Sequence, residues 1–468
     1  MNSMKKATLV EMDWPEFGTC PPPKKKPVQE YMGRLESIYE EMNRRKLTHL
    51  VIYGDREHFA NVAYTTGFDP RFEETILILS RDHDPLILVG NECESYLTIS
   101  PLYNHGVLKA ERYQTFSLLN QPRDESRPLR EILAEIGINK RSLVGCIGWK
   151  YFSESEFTNP IHAVDIPSYI VDLLRELAGY KRIVNATDLF MHPDYGLRAV
   201  CSIHDVAYFE YTNIVASEGV KKMLFGMRDG MVDHDVVKLA EYSGEPLGCH
   251  MTFITSSNRN SPLSGPIGAR ITKGSVCSTN VCLWGANCCR AGWIVQSEVE
   301  LPTETRDYVD RFVGPYFVAV NEWFKHLRVN AKGGDLWTCI HDRLPYSEYE
   351  IYLNPGHLIH LDEWVSSPIY AGSKVLLRSG MLIQVDIIPS SNIYFSTRVE
   401  DGVLLADENL RNELKKEYPE CYSRCIKRKK FMIQELEMDV PEDVLPLSNM
   451  PGIIPPFFLD PRKVMILK

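Results

Sequence analysis

The second half of this chain repeats its own order of elements. A helical pattern over residues 202–225 leads through the turn Met227-Arg228-Asp229-Gly230-Met231 into a second helix over 232–240. Strand patterns follow at 252–257, 275–283 and 290–299. The order then returns, with a helix over 308–327, a glycine-containing turn over 330–335, a helix over 336–343, and strands at 381–389 and 393–406. A unit recurring at a period of about one hundred residues must bury its apolar faces against its own copy. The pattern predicts an internally duplicated α+β domain over residues 196–440.

The first half reads differently. Apolar runs of strand length occur at Leu50-Val51-Ile52-Tyr53, Ile76-Leu77-Ile78-Leu79, Leu86-Ile87-Leu88-Val89 and 143–148. They alternate with amphipathic helices carrying Met32, Leu35, Ile38 and Met42, then Leu129, Ile132, Leu133 and Ile136, then Ile170, Leu173, Leu174 and Leu177. Gly137 and Gly179 stand at the expected helix ends. Interleaved strands and helices predict an α/β domain over residues 29–195. Residues 1–28 read as an irregular lead-in. Residues 441–468 read as a Pro-rich tail that packs along a surface or a partner subunit.

The charge of −10 at pH 7 argues against a nucleic-acid or anionic-membrane partner. Lys24-Lys25-Lys26 beside Pro21-Pro22-Pro23 reads as a solvated turn. The N-terminus lacks an apolar signal-peptide core, and no apolar run is long enough to span a bilayer. The twelve cysteines include no Cys-x-x-Cys pair, so reduced thiols and a cytoplasmic location are expected. Cys277, Cys282, Cys288 and Cys289 read as buried strand cysteines in preference to a zinc site.

The chemistry-bearing residues gather late. His357 follows a glycine in Asn354-Pro355-Gly356-His357-Leu358-Ile359-His360, ahead of Leu361-Asp362-Glu363-Trp364. Asp386 interrupts the apolar run Leu382-Ile383-Gln384-Val385-Asp386-Ile387-Ile388, and Glu400 follows Arg398. A carboxylate inside an apolar strand is costly unless a cation, a proton or a metal accompanies it. One histidine and two carboxylates form part of a metal-type donor set.

These pieces resemble the pita-bread hydrolases: methionine aminopeptidase, aminopeptidase P, prolidase and creatinase. The resemblance spans nearly all of residues 30–410. It rests on Asn61-Val62-Ala63-Tyr64-Thr65-Thr66-Gly67-Phe68, the Gly230-Met231 turn, Lys273-Gly274, Pro355-Gly356-His357, Gly380-Met381 and Arg398-Val399-Glu400-Asp401. It implies an α/β N-terminal domain followed by an α+β pita-bread domain. The family's peptidases use two Asp, one His and two Glu as metal ligands. Matched outward from Gly274, these positions fall on Asn280, Ala291, His357, Asp386 and Glu400.

Two anionic ligands are thus replaced, and a dinuclear site needs several negative charges to hold both ions. Creatinase is similar in carrying Asn and Ala at the same two places. The resemblance therefore implies a hydrolase of a C–N bond that needs no metal and no cofactor. Its substrate would be a small nitrogen-rich molecule, cationic or amide, held by Asp386 and Glu400. His357 would move the proton. The segment Asn258-Arg259-Asn260-Ser261-Pro262-Leu263 has Leu263 where the family has its basic histidine, and Trp364 stands at a later family histidine. His360 and His250 are the candidate replacements. The expected catalytic set is His357, His360, Asp386 and Glu400, with Asn280, Arg398, Arg71 and His250 binding substrate. Arg71 would reach a substrate carboxylate across a homodimer, or else pair locally with Glu73 or Glu74. Cys288-Cys289, near Ala291, offers a nucleophile but lacks an evident base. Two alternatives stay open: an Xaa-Pro-type peptidase keeping one metal, and a non-catalytic protein binding a ligand or partner in the same pocket.

Overall fold

The computed structural model describes residues 5–256 and 264–468. The Asn258–Leu263 segment, with Leu263, lies outside the described residues. The chain divides into two compact units, residues 24–198 on one hand and residues up to 23 with 199–468 on the other.

In the 24–198 unit, six strands form one mixed sheet. Their order is Lys109–Arg112, Leu86–Val89, Thr75–Ser80, His49–Gly54, Val144–Ile147 and Ile183–Asn185. Every residue of His49–Gly54 and Thr75–Ser80 is buried. Strands covered on both faces read as continuous apolar runs, which is why the sequence signal here was plain. The helices Leu129–Glu135 and Ser168–Ala178 bury Leu133, Ile170 and Leu174 in one core with Val51, Ile78 and Val144.

The other unit is duplicated, and its backbone hydrogen bonds repeat. The Gly230 N–H donates to the Ile271 carbonyl at 2.8 Å, and the Asn330 N–H donates to the Leu377 carbonyl at 2.8 Å. Both turn residues take positive φ, 86° and 68°, a conformation suited to glycine and asparagine. Ile271 and Leu377 return the bond to Met231 and Ala331. Helix Ile203–Gly226 precedes the first turn and helix Gly314–His326 the second. Ser202 and Asp205 close a capping box at the start of the longer helix, satisfying two otherwise orphaned N–H groups.

Each half contributes to a four-stranded antiparallel sheet. One runs Arg398–Glu400, Ala286–Trp293, Val276–Leu283, Phe253–Ser256. The other runs His357–Leu358, Leu382–Gln384, Gly402–Leu405, Val444–Pro446. The chain passes from the first sheet to the second at Asp401. Residues bearing candidate chemistry on both sheets converge there.

The two chain ends differ from expectation. Ala7–Glu11, within the supposed irregular lead-in, pairs antiparallel with Lys463–Leu467. Strand pairing across the length of the chain leaves no local signature. The Pro-rich tail is not a surface strap, because residues 444–458 are buried throughout. The Arg290 guanidinium, itself fully buried, donates to the Met450 carbonyl at 2.7 Å, the Ile453 carbonyl at 2.6 Å and Asp401 Oδ2 at 2.8 Å. A tail rich in proline has carbonyls in excess of N–H groups, and a five-donor side chain fits that imbalance. No described helix is long and apolar enough to cross a membrane.

Candidate functional site

Register places the site residues. Asn280 pairs with Cys289 and Cys289 with Glu400, so these three share one row and one face of the first sheet. Ser278, Ala291 and Arg398 form the next row on that face. On the second sheet His357 pairs with Gln384. Gly356, at φ 123°, makes the approach to His357 possible: a Cβ there would lie 3.1 Å from both the Gln384 carbonyl and the Trp323 ring.

The ligand-type atoms of His357, Asp386 and Glu400 lie within 4.8 Å of one another, and all three residues are buried. His357 Nε2 is 3.3 Å from Glu363 Oε1 and 3.9 Å from Asp386 Oδ2. The Trp364 ring stacks on the His357 imidazole, with centroids 4.1 Å apart and planes inclined by 19°. Tryptophan thus covers the face of the histidine where the resemblance placed a second histidine.

Two asparagines line the other side. Asn280 Oδ1 accepts from the Thr252 N–H at 2.6 Å and from its hydroxyl at 2.9 Å, which fixes the amide orientation. Asn280 Nδ2 therefore donates, to Asn287 Oδ1 at 3.0 Å. Asn287 Nδ2 in turn donates to Glu400 Oε1 at 2.7 Å and approaches Glu363 Oε1 at 3.4 Å. A relay of two amides joins the strand pair to the carboxylates.

The electrostatics are those of carboxylates crowded out of water. Burial foremost, with Asp386, Cys289 and Glu363 adding repulsion, pushes Glu400 well above the ordinary carboxylate range. Burial also raises Asp386, against the opposing pull of His357 and Arg398. Burial disfavours the His357 imidazolium, but Glu363 and Asp386 outweigh it and leave the histidine above its usual value. Glu363 is held low, its own desolvation overcome by His357. Several buried polar atoms have no hydrogen-bond partner among the described residues: Asp386 Oδ1, Arg398 Nε and both amide atoms of Gln384. Native interiors rarely leave such atoms unpaired unless a ligand or water meets them.

Three solved structures carry the same fold. A prolidase from Pyrococcus horikoshii OT3 is 14% identical at a TM-score of 0.60, covering 80% of this chain and 95% of that one. An Xaa-Pro dipeptidase from Bacillus anthracis is 11% identical at a TM-score of 0.61, covering 81% and 96%. An X-Pro aminopeptidase from Thermotoga maritima MSB8 is 14% identical at a TM-score of 0.58, covering 80% and 95%. This chain has the pita-bread fold. No family model and no curated protein matches the sequence.

Within this pita-bread fold the expected site residues separate. His357, Asp386 and Glu400 come together, and Asn280 joins them through Asn287. Arg398 adjoins them, donating from Nη1 to Cys289 Sγ at 3.3 Å, with Asp386 and Glu400 as charged neighbours. His360 turns instead toward the start of the Ile203–Gly226 helix. Its Nε2 is 3.6 Å from Asp205 Oδ2, and its ring meets Phe209 edge-on at 5.0 Å. His250 is exposed on the loop before the Phe253–Ser256 strand. Arg71, in the other unit, is 55% exposed, and its local partners are Tyr96 and Asp69. Glu73 and Glu74 are occupied elsewhere, by the Cys93 N–H and the Tyr53 hydroxyl.

Cys277, Cys282, Cys288 and Cys289 are buried on the hairpin strands. Sequence reasoning passed over Glu363, Asn287, Gln384 and Cys249. Glu363 was visible six residues past His357. Asn287 needed the hairpin register, which sets Cys282 opposite it and Asn280 diagonally across.

Proposed function

We propose that this chain is a hydrolase of a C–N bond that works without a metal on a small nitrogen-rich substrate with a cationic or amide end. The observation that carries the reading is the His357–Glu363 pair at 3.3 Å, set against buried Asp386 and Glu400, in a site where Asn280 and Ala291 stand at the resemblance's two aspartate positions. Asn287, not a cation, satisfies Glu400 Oε1. A planar cation entering between Asp386 and Glu400 would find two converging carboxylates. Burial and the neighbouring carboxylates favour the protonated form of Glu400, and a cation placed beside it favours the carboxylate. His357, charged through Glu363, supplies the proton that the departing nitrogen needs. Arg398 Nε, without a partner, offers a donor to a substrate oxygen. The reading includes a cytoplasmic homodimer in which Arg71 of one copy binds a substrate carboxylate at the other's site.

The donor set does not fit a pair of ions, since Asn and Ala contribute no charge. It fits one ion more closely, and this favours the second reading, a peptidase with one metal held by His357, Asp386 and Glu400. Such an ion would polarise a carbonyl and activate water. Metal analysis of purified protein separates the two. We expect well under one equivalent of Mn, Fe, Co or Zn per chain, and turnover of a guanidino, amidino or amide compound that survives chelation. A stoichiometric metal whose removal abolishes dipeptide cleavage overturns the metal-free reading.

A further inference from the structure

We propose that Cys249 is the nucleophilic thiol of this site, attacking the electrophilic carbon of an amidine, guanidine or amide group. The proposal rests on the hydrolase reading and names the group that opens the reaction. All cysteines other than Cys20 and Cys249 are buried. Cys20 lies beside Glu210, and burial with that carboxylate pushes its thiol up to about 11. Cys249 is different on geometric grounds. Its sulfur is 3.8 Å from Asn280 Nδ2, the amide hydrogen that the Thr252 bonds leave pointing outward. Through Asn280 and Asn287 the sulfur is linked to Glu400, one carboxylate of the cation site, and to Glu363, the partner of His357.

Asn280 and the Cys282 thiol donate to this sulfur, which as a thiol reaches the His250 carbonyl at 3.5 Å, and donors to a sulfur favour its thiolate form. The hydrogen bond from the Cys282 thiol foremost, and that from Asn280, hold Cys249 below the ordinary thiol range in spite of burial and Glu363. Asp386 Oδ1, buried and without a hydrogen-bond partner among the described residues, independently marks the same site as one that receives a ligand.

The step balances as a hydrolysis. The Cys249 thiolate forms a bond to the substrate carbon, and the His357 imidazolium gives its proton to the leaving nitrogen. The C–N bond breaks and the amine departs, leaving an S-acyl or S-amidino enzyme. Water then adds to that carbon, the C–S bond breaks to release the thiolate, and the water's proton restores the His357 imidazolium. No oxidant or cofactor enters.

The test uses intact protein under reducing conditions with two alkylating probes, cationic 2-chloroacetamidine and neutral iodoacetamide, the labelled sites being located by peptide mass spectrometry. The expected result is labelling of Cys249 by chloroacetamidine at least tenfold faster than of Cys20. Asp386→Asn should slow the cationic probe at least fivefold and leave the neutral one unchanged. Equal labelling of Cys20 and Cys249, or equal slowing of both probes, overturns the proposal. On any guanidino, amidino or amide compound that the protein turns over, Cys249→Ala should reduce kcat at least a hundredfold. Unchanged turnover overturns Cys249 as nucleophile and leaves the hydrolase reading intact. Selective labelling without turnover of any compound upholds the reactive thiol and removes the hydrolase reading.

Discussion

Asn280 Nδ2 and Asn287 Oδ1 meet at 3.0 Å across the Val276–Trp293 hairpin, with the next amide hydrogen bond running from Asn287 to Glu400. A carboxylate at either position would face an acceptor where a donor now serves. The relay thus belongs to a site built around neutral amides. Replacing Asn287 by Asp should remove the donor to Glu400 and add a charge among buried carboxylates. Leaving a buried acceptor unsatisfied costs about 1–3 kcal/mol. Chemical denaturation is expected to show a loss of at least this size, greater at pH 8 than at pH 5. An unchanged midpoint at both pH values would mean that the relay carries no weight.

Glu363 sets the charge on His357. Burial opposes that charge, and Glu363 and Asp386 restore it, so the folded value lies above the unfolded one. A raised histidine contributes stability below its unfolded value near 6.5, and that contribution is lost as pH rises through the folded value. Glu363→Gln should lower the His357 titration and narrow this window from its alkaline side. Imidazole titration by NMR in the intact protein reads the shift. If His357 acts as the acid, the alkaline limb of the pH–rate profile should move down with it. His357→Ala should reduce kcat by about 10²–10⁴-fold.

Glu400 shifts in the same direction, with the difference that its proton makes it neutral where that of His357 makes it charged. Its folded value is raised, so the folded protein keeps a proton that the unfolded chain releases. Stability should fall as pH rises from the ordinary carboxylate value near 4.3 toward the folded value. Glu400→Gln imitates the protonated side chain and keeps the acceptor for Asn287. Its melting temperature should exceed that of the parent at pH 8, by about 2–4 °C per kcal/mol relieved. At pH 4 the two proteins should melt alike. A lower melting temperature at pH 8 would mean that the carboxylate is paired and charged.

Arg290 binds the tail and Asp401 together inside the unit. Arg290→Met strips donors from Asp401 and from the carbonyls of Cys289, Glu400, Met450 and Ile453, and breaking one partner of a buried ion pair costs about 3–5 kcal/mol. Loss of stability in that range is expected, along with faster amide hydrogen exchange in the Val444–Pro446 strand. An exchange rate matching the parent's would show the tail held by other contacts.

How much the sequence revealed depended on how local the cause was. The strands at Leu50–Tyr53 and Ile76–Leu79 were legible because both faces are covered. The duplicated order was legible because turn chemistry repeats, and the Gly230 and Asn330 turns carry it in their φ angles. The Ala7–Glu11 strand was not, since its partner lies at Lys463–Leu467. His357, Asp386 and Glu400 could be named from sequence as separated residues on distinct elements. Their approach within 4.8 Å could not.

By itself the sequence determined the alternation of elements, the internal repeat and the residue types available to the site. These follow from periodicity, turn residues and composition, all properties of neighbours along the chain. Only the tertiary structure decided that Glu363 sits on His357, that Trp364 stacks over it, that His360 turns to Asp205 and that Asn287 serves Glu400. Those relations depend on hairpin register and on the crossing between sheets at Asp401, where residues far apart in the chain share one desolvated space. Charge and protonation are set by what shares that space, so the chemistry of the site became readable only once the sheets were in place.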